Sequence, residues 1–130
     1  MAKPTSQDQN KTLDRIRQGL APTLQPGEQL RVVAWFQSGG NWLELPKPTF
    51  FTIRNWSVGV TDKRVILAKE SRMNGQLMPN EVYSVPRENA SLGRWRGLKL
   101  ASHDRKIPKR LRAIPWSGYS KDEFNQALHT

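Results

Sequence analysis

The chain has 130 residues, no cysteine and a formal net charge of +10 at neutral pH. This length suits one domain with its own hydrophobic core. Without cysteine there are no disulfides and no thiolate metal sites, which fits a reducing compartment and predicts a cytoplasmic location. No apolar run approaches the ~20 residues that span a bilayer, and residues 1–10 lack the apolar core of a secretory signal. We therefore expect neither a transmembrane segment nor export by that route.

Most of the positive charge comes from one stretch near the C-terminus. Between residues 94 and 112, eight Lys and Arg residues stand against Asp104 alone, so these 19 residues carry a net charge of +7. Such a field attracts phosphates, on nucleic acid or on an anionic membrane surface. A solvated face that only keeps the protein soluble is the alternative. The eight candidate ligand-binding residues are Arg94, Arg96, Lys99, Arg105, Lys106, Lys109, Arg110 and Arg112.

The N-terminal part of the chain predicts a lead-in followed by a helix. Residues 1–9 are polar and include a proline, which is typical of a disordered lead-in, so the folded domain is expected over residues 10–130. Leu13, Ile16 and Leu20 then repeat at i, i+3 and i+7, the spacing of one helical face. This stripe predicts a short helix over residues 11–20 that packs on the rest of the domain.

The clearest strand pattern lies in residues 55–70, NWSVGVTDKRVILAKE. Trp56, Val58 and Val60 alternate with small or polar residues, which indicates a half-buried strand. Asp62 can accept hydrogen bonds from backbone amides two or three residues on, and so can stabilise a tight turn. Because an apolar run resumes at Val65, the segment predicts a core antiparallel hairpin with Asp62 as its structural turn residue.

Short strands separated by turn signals are expected in most of the remaining chain. A first strand is predicted at residues 29–37. Pro46 and Pro48 cannot donate ladder hydrogen bonds, so the segment around them predicts a loop that leads into the hairpin. An Asn-Gly pair at residues 74–75 predicts a second reversal. Further strands are expected at residues 81–85, 90–95, 97–102 and 106–116.

The last two predicted strands divide their side chains by charge. Alternation puts leucines on one face and cations on the other, with Leu98, Leu100 and Leu111 opposite Lys99, Arg110 and Arg112. Ser120 is followed three residues later by Glu123, a capping box that predicts the start of a short C-terminal helix. Regularly spaced short strands with flanking helices predict a mainly β fold, an antiparallel barrel or sandwich whose terminal helix plugs one end.

Several of these motifs occur together in one known family. The chain resembles the bacterial pleckstrin-homology-like domains in the sequence Thr61-Asp62-Lys63-Arg64, which ends one strand, and in Val85-Pro86, which enters a later turn. The N-terminal helix followed by Pro26-Gly27-Glu28 matches the family's lead-in, and the resemblance covers residues 10–128. It implies a seven-stranded, strongly bent barrel capped by a C-terminal helix.

The resemblance implies little about activity, because this fold hosts lipid, peptide and protein binding. The family's usual phosphoinositide loop lies between its first two strands. In this chain that region holds only Lys47 and Arg54, so the resemblance does not carry the usual lipid site over to it.

Few residues suggest catalysis. His103 and His129 are the only histidines, and the chain contains no paired metal-ligand motif, phosphate-binding loop or nucleophile elbow. We therefore expect no enzyme, metal or cofactor. The prediction is a non-catalytic binding or adaptor module whose basic residues engage an anionic partner: a lipid head group, an acidic protein surface or nucleic acid.

Two alternatives use aromatic residues. Trp95 and Trp116 are interleaved with the basic stretch, and bases stack on indoles while phosphates pair with arginine, so a nucleic-acid-binding β-domain is one alternative. Such tryptophans can also simply pack in the core. The second alternative is a protein partner that binds an apolar patch formed by Trp42, Phe50 and Phe51.

Overall fold

The computed structural model describes residues 6–38, 54–71, 77–93, 97–113 and 120–129. Within these ranges the elements in chain order are α1 (Ser6–Leu20), β1 (Leu30–Ser38), β2 (Arg54–Thr61), β3 (Arg64–Glu70), β4 (Leu77–Pro86), β5 (Ala90–Leu92), β6 (Gly97–Leu100), β7 (Arg110–Ala113) and α2 (Lys121–His129). Short 3-10 helices at Ala21–Thr23 and Arg87–Asn89 lie in two of the connections.

The seven strands form one antiparallel sheet in the order β4-β3-β2-β1-β7-β6-β5. The sheet curls strongly into a half-barrel. β2 and β3 form the predicted hairpin, in which Val60 pairs with Val65 beside the turn. β1 pairs with β2 along most of its length and with β7 at its end, and so joins the two halves of the sheet. The predicted fold class, mainly β with about seven antiparallel strands and flanking helices, is confirmed.

The inner face of the sheet packs against α2. The Phe36 ring of β1 meets the Phe124 ring of α2 edge-on, with centroids 5.5 Å apart. The amide of Glu123 donates to Ser120 Oγ at 3.3 Å, as the capping box predicts for the start of this helix. The same buried cluster contains the predicted core residues of the hairpin, Trp56, Val58, Val60, Val65 and Leu67.

The outer face of β1–β3 is covered by α1. Ile16 and Leu20 are buried there against Val33 and Ile66, so the predicted helical stripe is a packing face. Gly59 permits this close approach, because a Cβ atom at that position would lie 2.8 Å from Leu20 Cδ1. The two helices thus lie on opposite sides of the sheet.

Coverage on both faces changes the expected burial of the hairpin. Every residue of β2 from Trp56 to Thr61 is buried, although alternation predicted a half-buried strand. Ser57 and Gly59, which the pattern suggested would face solvent, face α1 instead. Small side chains at these positions leave room for a helix, a use that period-two alternation does not distinguish from exposure.

Some element boundaries differ from those predicted. α1 begins at Ser6, so residues 6–9 are helical rather than part of a disordered lead-in. β7 begins later than expected, at Arg110, because Ile107 and Pro108 belong to the connection that precedes it. Residues 1–5, the segment containing Pro46 and Pro48, and the Asn-Gly pair at 74–75 lie outside the described residues.

Candidate functional site

Six of the eight predicted ligand-binding residues lie in the described part of the chain. Lys99 is in β6, Arg110 and Arg112 are in β7, and the others are in the β6–β7 connection. All six are exposed: Lys99, Arg105, Lys106, Lys109, Arg110 and Arg112. Outside the described residues are the other two, Arg94 and Arg96, and the aromatic candidates Trp42, Phe50, Phe51, Trp95 and Trp116.

Lys99, Arg110 and Arg112 share the outer face of the β6–β7 hairpin, and we call these three residues the basic face. Burial alternates along both strands as the sequence predicted, with Leu98 and Leu111 turned into the inner core. Lys99 is the register partner of Arg110, and Gly97 is that of Arg112. The basic face is therefore one patch on adjacent strands.

No described carboxylate lies on the strands that carry the basic face. β5, β6 and β7 contain neither Asp nor Glu, and neither Lys99 nor Arg110 takes part in an ion pair with a described residue. Like charges directly opposite one another on adjacent strands are destabilising. The Lys99–Arg110 pairing therefore carries a repulsion that a bound anion would relieve.

The β6–β7 connection is held in place by its own contacts. Ser102 Oγ accepts a hydrogen bond from the Asp104 amide at 3.1 Å, and Asp104 Oδ1 accepts one from the Lys106 amide at 2.9 Å. Such side-chain-to-backbone bonds stabilise turns. The Ile107 side chain is buried in the inner core and anchors the connection. Arg105 consequently lies in a turn of defined shape.

A cavity of about 680 Å³ lies between this connection and β4. Residues 84–86 of β4 form one wall, and His103 and Lys109 contribute to the wall on the side of the connection. Val85 and Leu100, both members of the inner core, also line it, so the cavity opens toward the inner side of the sheet. The basic face and the cavity therefore lie on opposite sides of the same hairpin.

The hydroxyl of Tyr83, on β4, is paired with a carboxylate of the same strand, because it donates a hydrogen bond to Glu81. That hydrogen bond, burial and the negative charges of Glu81 and Asp104 together raise the pKa of Tyr83 to about 12. Asp104 lines the same cavity as residues 84–86 of β4.

The turn between β2 and β3 is capped by Thr61 rather than by Asp62. Thr61 Oγ1 accepts hydrogen bonds from the amides of Lys63 and Arg64 at 3.1 and 3.0 Å. Asp62 Oδ1 instead accepts one from the amide of Gln29 at 3.0 Å, and the Asp62 amide donates to the Gln29 carbonyl at 3.2 Å. Thr61 therefore makes the local bonds that the sequence suggested for Asp62, and the Asp62 side chain ties the turn to the residue before β1.

Sequence reasoning missed a buried ion pair beside this turn. The side chain of Glu28 is 0% exposed, and Arg64 Nε and Nη2 donate to its two oxygens at 2.9 and 3.0 Å. The Gln25 amide and the Thr61 hydroxyl donate to the same carboxylate at 2.9 and 2.7 Å. The Arg64 hydrogen bonds above all, with help from Gln25 and Thr61, lower the pKa of Glu28 to about 2 against the opposing effect of burial.

A second buried carboxylate, Glu70, is less completely paired. Its Oε2 accepts a hydrogen bond from Ser57 Oγ at 2.9 Å, while its Oε1 accepts none from a described residue and lies 3.8 Å from Arg15 Nη2. The Arg15 guanidinium lies over the Trp35 ring, 5.6 Å from its centroid. Burial raises the pKa of Glu70, and Ser57, Arg15 and Trp35 oppose that rise.

The fold and these surfaces define a class of protein: a curled seven-stranded half-barrel with one helix on each side and an exposed basic hairpin. A scan against protein-family models, a search of curated proteins and a search of solved structures each returned no match for the chain. Among the described residues, no three His, Asp or Glu side chains are grouped to hold a metal ion. No helix in the same residues is both long and apolar enough to cross a bilayer.

Proposed function

We propose that this protein is a non-catalytic binding module of the pleckstrin-homology-like kind that engages an anionic surface through its basic face. The observation that carries the proposal is the pairing of Lys99 with Arg110 on exposed strands without a described carboxylate beside them. The curled seven-stranded sheet and the C-terminal helix agree with what the motif resemblance implies. A cysteine-free sequence suits the reducing environment of the cytoplasm, where we place it.

The shape of the basic face favours an extended anionic surface over an enclosed small molecule. Its three cations lie on exposed strand positions, and Arg105 and Lys106 add charge at the adjoining turn. Each Lys or Arg near an anionic membrane contributes about 1 kcal/mol, and the attraction is screened over a Debye length. Binding should therefore be of modest strength and should weaken steeply as salt is added.

Nucleic acid is the second candidate, since a phosphate backbone presents the same charge pattern. Its support in the sequence is that Trp95 precedes β6 by two residues and Trp116 follows β7 by three. Indoles near phosphate-binding cations are typical of single-strand binding sites. Direct binding to oligonucleotides or to vesicles separates the two candidates, and nucleic-acid affinity should fall with salt by a slope set by the number of phosphates contacted.

The test compares anionic vesicles, neutral vesicles and short oligonucleotides at low and physiological salt. The variant Lys99→Glu/Arg110→Glu reverses charge on the basic face. The matched control Lys11→Glu/Lys121→Glu makes the same change in net charge at exposed positions on α1 and α2. We expect anionic vesicles to bind the wild type and the control, and the basic-face variant to lose binding.

Three results would change the conclusion. Equal loss in both variants would mean that binding reports net charge and not the basic face. Oligonucleotide binding with a steep salt slope and no vesicle binding would favour nucleic acid. If vesicles and oligonucleotides both fail to bind at low salt, the anionic-surface proposal is wrong.

A further inference from the structure

A serine extends the basic face onto the third strand of the open part of the sheet. Ser91 in β5 is the register partner of Lys99 in β6, and Lys99 is in turn the register partner of Arg110 in β7. Residues directly opposite one another in antiparallel strands have their side chains on the same face. All three residues are exposed. They therefore form one row across three strands on the outer face, which we call the cross-strand row.

The cross-strand row places three kinds of hydrogen-bond donor close together. Adjacent strands lie about 4.8 Å apart, so a ligand group above Lys99, the middle residue, is about one strand spacing from Ser91 and from Arg110. The serine hydroxyl and the lysine ammonium donate hydrogen bonds, and the arginine guanidinium presents a planar fork that fits phosphate oxygens. This combination of donors is suited to a phosphate group.

The charge of the row distinguishes one class of phosphate from another. Lys99 and Arg110 are both cations, and β5, β6 and β7 contain no Asp or Glu that could neutralise them. A phosphate monoester carries a charge of about −1.5 to −2 at neutral pH and has three acceptor oxygens. A phosphodiester carries a single negative charge and has fewer free oxygens. The row therefore matches a monoester better, both in charge and in the number of donors.

The surface beside the row leaves room for a lipid head group. Gly97 precedes Lys99 by two residues on the same face of β6, and from a Cβ added there the nearest described atom outside its chain neighbours is 3.9 Å away. Arg105 and Lys106 in the adjoining turn are also exposed. A phosphate presented by a membrane can therefore reach the row while the turn faces the surrounding anionic lipids.

We propose that Ser91, Lys99 and Arg110 bind the phosphate monoester of a membrane lipid head group, so that the basic face prefers this group to singly charged lipids. The inference rests on the proposed function, since it names the group that the basic face recognises on an anionic surface. The Ser91 hydroxyl and the Arg110 fork provide the preference through directional hydrogen bonds, whereas net positive charge attracts any anionic lipid.

The experiment measures binding of the full chain to phosphatidylcholine vesicles that contain either phosphatidic acid, a phosphate monoester, or phosphatidylglycerol, a phosphodiester. The content of anionic lipid is adjusted until both vesicles have the same zeta potential, so that a difference in affinity reports the head group and not the surface charge. We expect the wild type to bind the phosphatidic acid vesicles about tenfold more tightly, because only the monoester can accept from all three side chains at once.

Two variants that keep the net charge locate the binding. Ser91→Ala removes the hydroxyl and Arg110→Lys removes the fork. Each should lower the affinity for phosphatidic acid vesicles about fivefold and leave that for phosphatidylglycerol vesicles within about twofold. The matched control is Ser84→Ala, which changes an exposed serine of β4 at the other edge of the sheet and should leave both affinities unchanged. Circular dichroism checks that all three variants are folded.

A soluble competitor separates a membrane lipid from other sources of the same group. Glycerol 3-phosphate presents the monoester without a membrane, and we expect it to compete only weakly, because Arg105 and Lys106 then have no anionic surface to face. Competition at a concentration as low as that of the accessible lipid would mean that the row takes a soluble phosphate monoester. Tighter binding of a 5′-phosphorylated oligonucleotide than of either vesicle would assign the row to nucleic acid.

The remaining contrary results separate this inference from the proposed function. Equal affinity of the wild type for the two vesicles would overturn the preference for a monoester and leave the binding of anionic surfaces intact. No binding of either vesicle at low salt would overturn both. If Ser91→Ala weakens both vesicles equally, or if Ser84→Ala weakens phosphatidic acid as much, the Ser91 hydroxyl does not bind the phosphate.

Discussion

The two halves of the sheet share one inner core but have different outer faces. β1–β3 are covered by α1, and β2 and β3 are buried on both sides. β6 and β7 keep their outer side chains exposed, and those side chains are the cations of the basic face. In the covered half, Glu28 and Glu70 lie next to arginines of opposite charge. In the open half, Lys99 faces the like charge of Arg110. We therefore expect the covered half to contribute more to stability, and the open half carries the surface for which we propose ligand binding.

The covered half also contains both buried carboxylates, and their environments shift pKa in opposite directions. Arg64 lowers the pKa of Glu28 to about 2 from an ordinary value of 4.5, so its stabilisation is present above pH 4.5 and is lost as pH falls toward 2. Burial raises the pKa of Glu70, so the neutral form is favoured and stability is lost as pH rises through that raised value. Full hydrogen bonding of one carboxylate and partial bonding of the other account for the difference.

Removing the partner of Glu28 should have the largest effect on stability. Arg64→Met leaves a buried carboxylate without its cation, which costs about 3–5 kcal/mol in comparable sites. We expect this loss in urea unfolding at pH 7. The variant should also lose most of the wild type's stability change between pH 4.5 and 2, because Glu28 then has no cation to hold its pKa low. A loss below about 1 kcal/mol would mean that the pair does not stabilise the covered half.

A methyl group should distinguish the covered half from the open half. At Gly59 an added Cβ would lie 2.7 Å from Leu30 Cδ1 and 2.8 Å from Leu20 Cδ1, and Leu20, the last residue of α1, is fully buried. Gly59→Ala should therefore reduce the free energy of unfolding by about 1–2 kcal/mol. At Gly97 in β6 the nearest such atom in the described part of the chain, the Leu111 carbonyl oxygen, is 3.9 Å away. Gly97→Ala is the control and should change stability by less than about 0.5 kcal/mol. Similar losses in the two variants would remove the contrast in packing.

Sequence periodicity could predict the features that repeat over a few residues. The core of the hairpin, the stripe of α1 and the outward position of Lys99 and Arg110 all follow from local spacing. Contacts between distant segments could not be predicted in that way. Glu28 and Arg64 are 36 residues apart, and Asp62 binds Gln29 from 33 residues away. Local spacing suggested that Asp62 accepts hydrogen bonds within its own turn. Its bond from the Gln29 amide depends on the fold, which brings these two distant residues together.

The cavity shows the same division between local and distant information. Its walls come from residues 84–86 and from the β6–β7 connection, which no sequence pattern links. The basic charge of the connection was visible in the sequence, but its position beside residues 84–86 of β4 was not. The most regular alternation, in β2, predicted that Ser57 and Gly59 would be exposed. Both are buried, because α1 covers that face of the strand.

The smallest effect on stability is expected on the basic face itself. Lys99→Thr removes one of two like charges that face each other and inserts a residue that favours strands. We expect the free energy of unfolding to stay within about 0.5 kcal/mol of the wild type or to rise slightly. Any gain should shrink at high salt, because salt screens the repulsion that the substitution relieves. A loss above about 1 kcal/mol would mean that Lys99 stabilises the hairpin, and the facing charges of Lys99 and Arg110 would no longer point to a missing ligand. A neutral result, together with lost vesicle binding in the charge-reversed variant, would assign the basic face to binding and the covered half to stability.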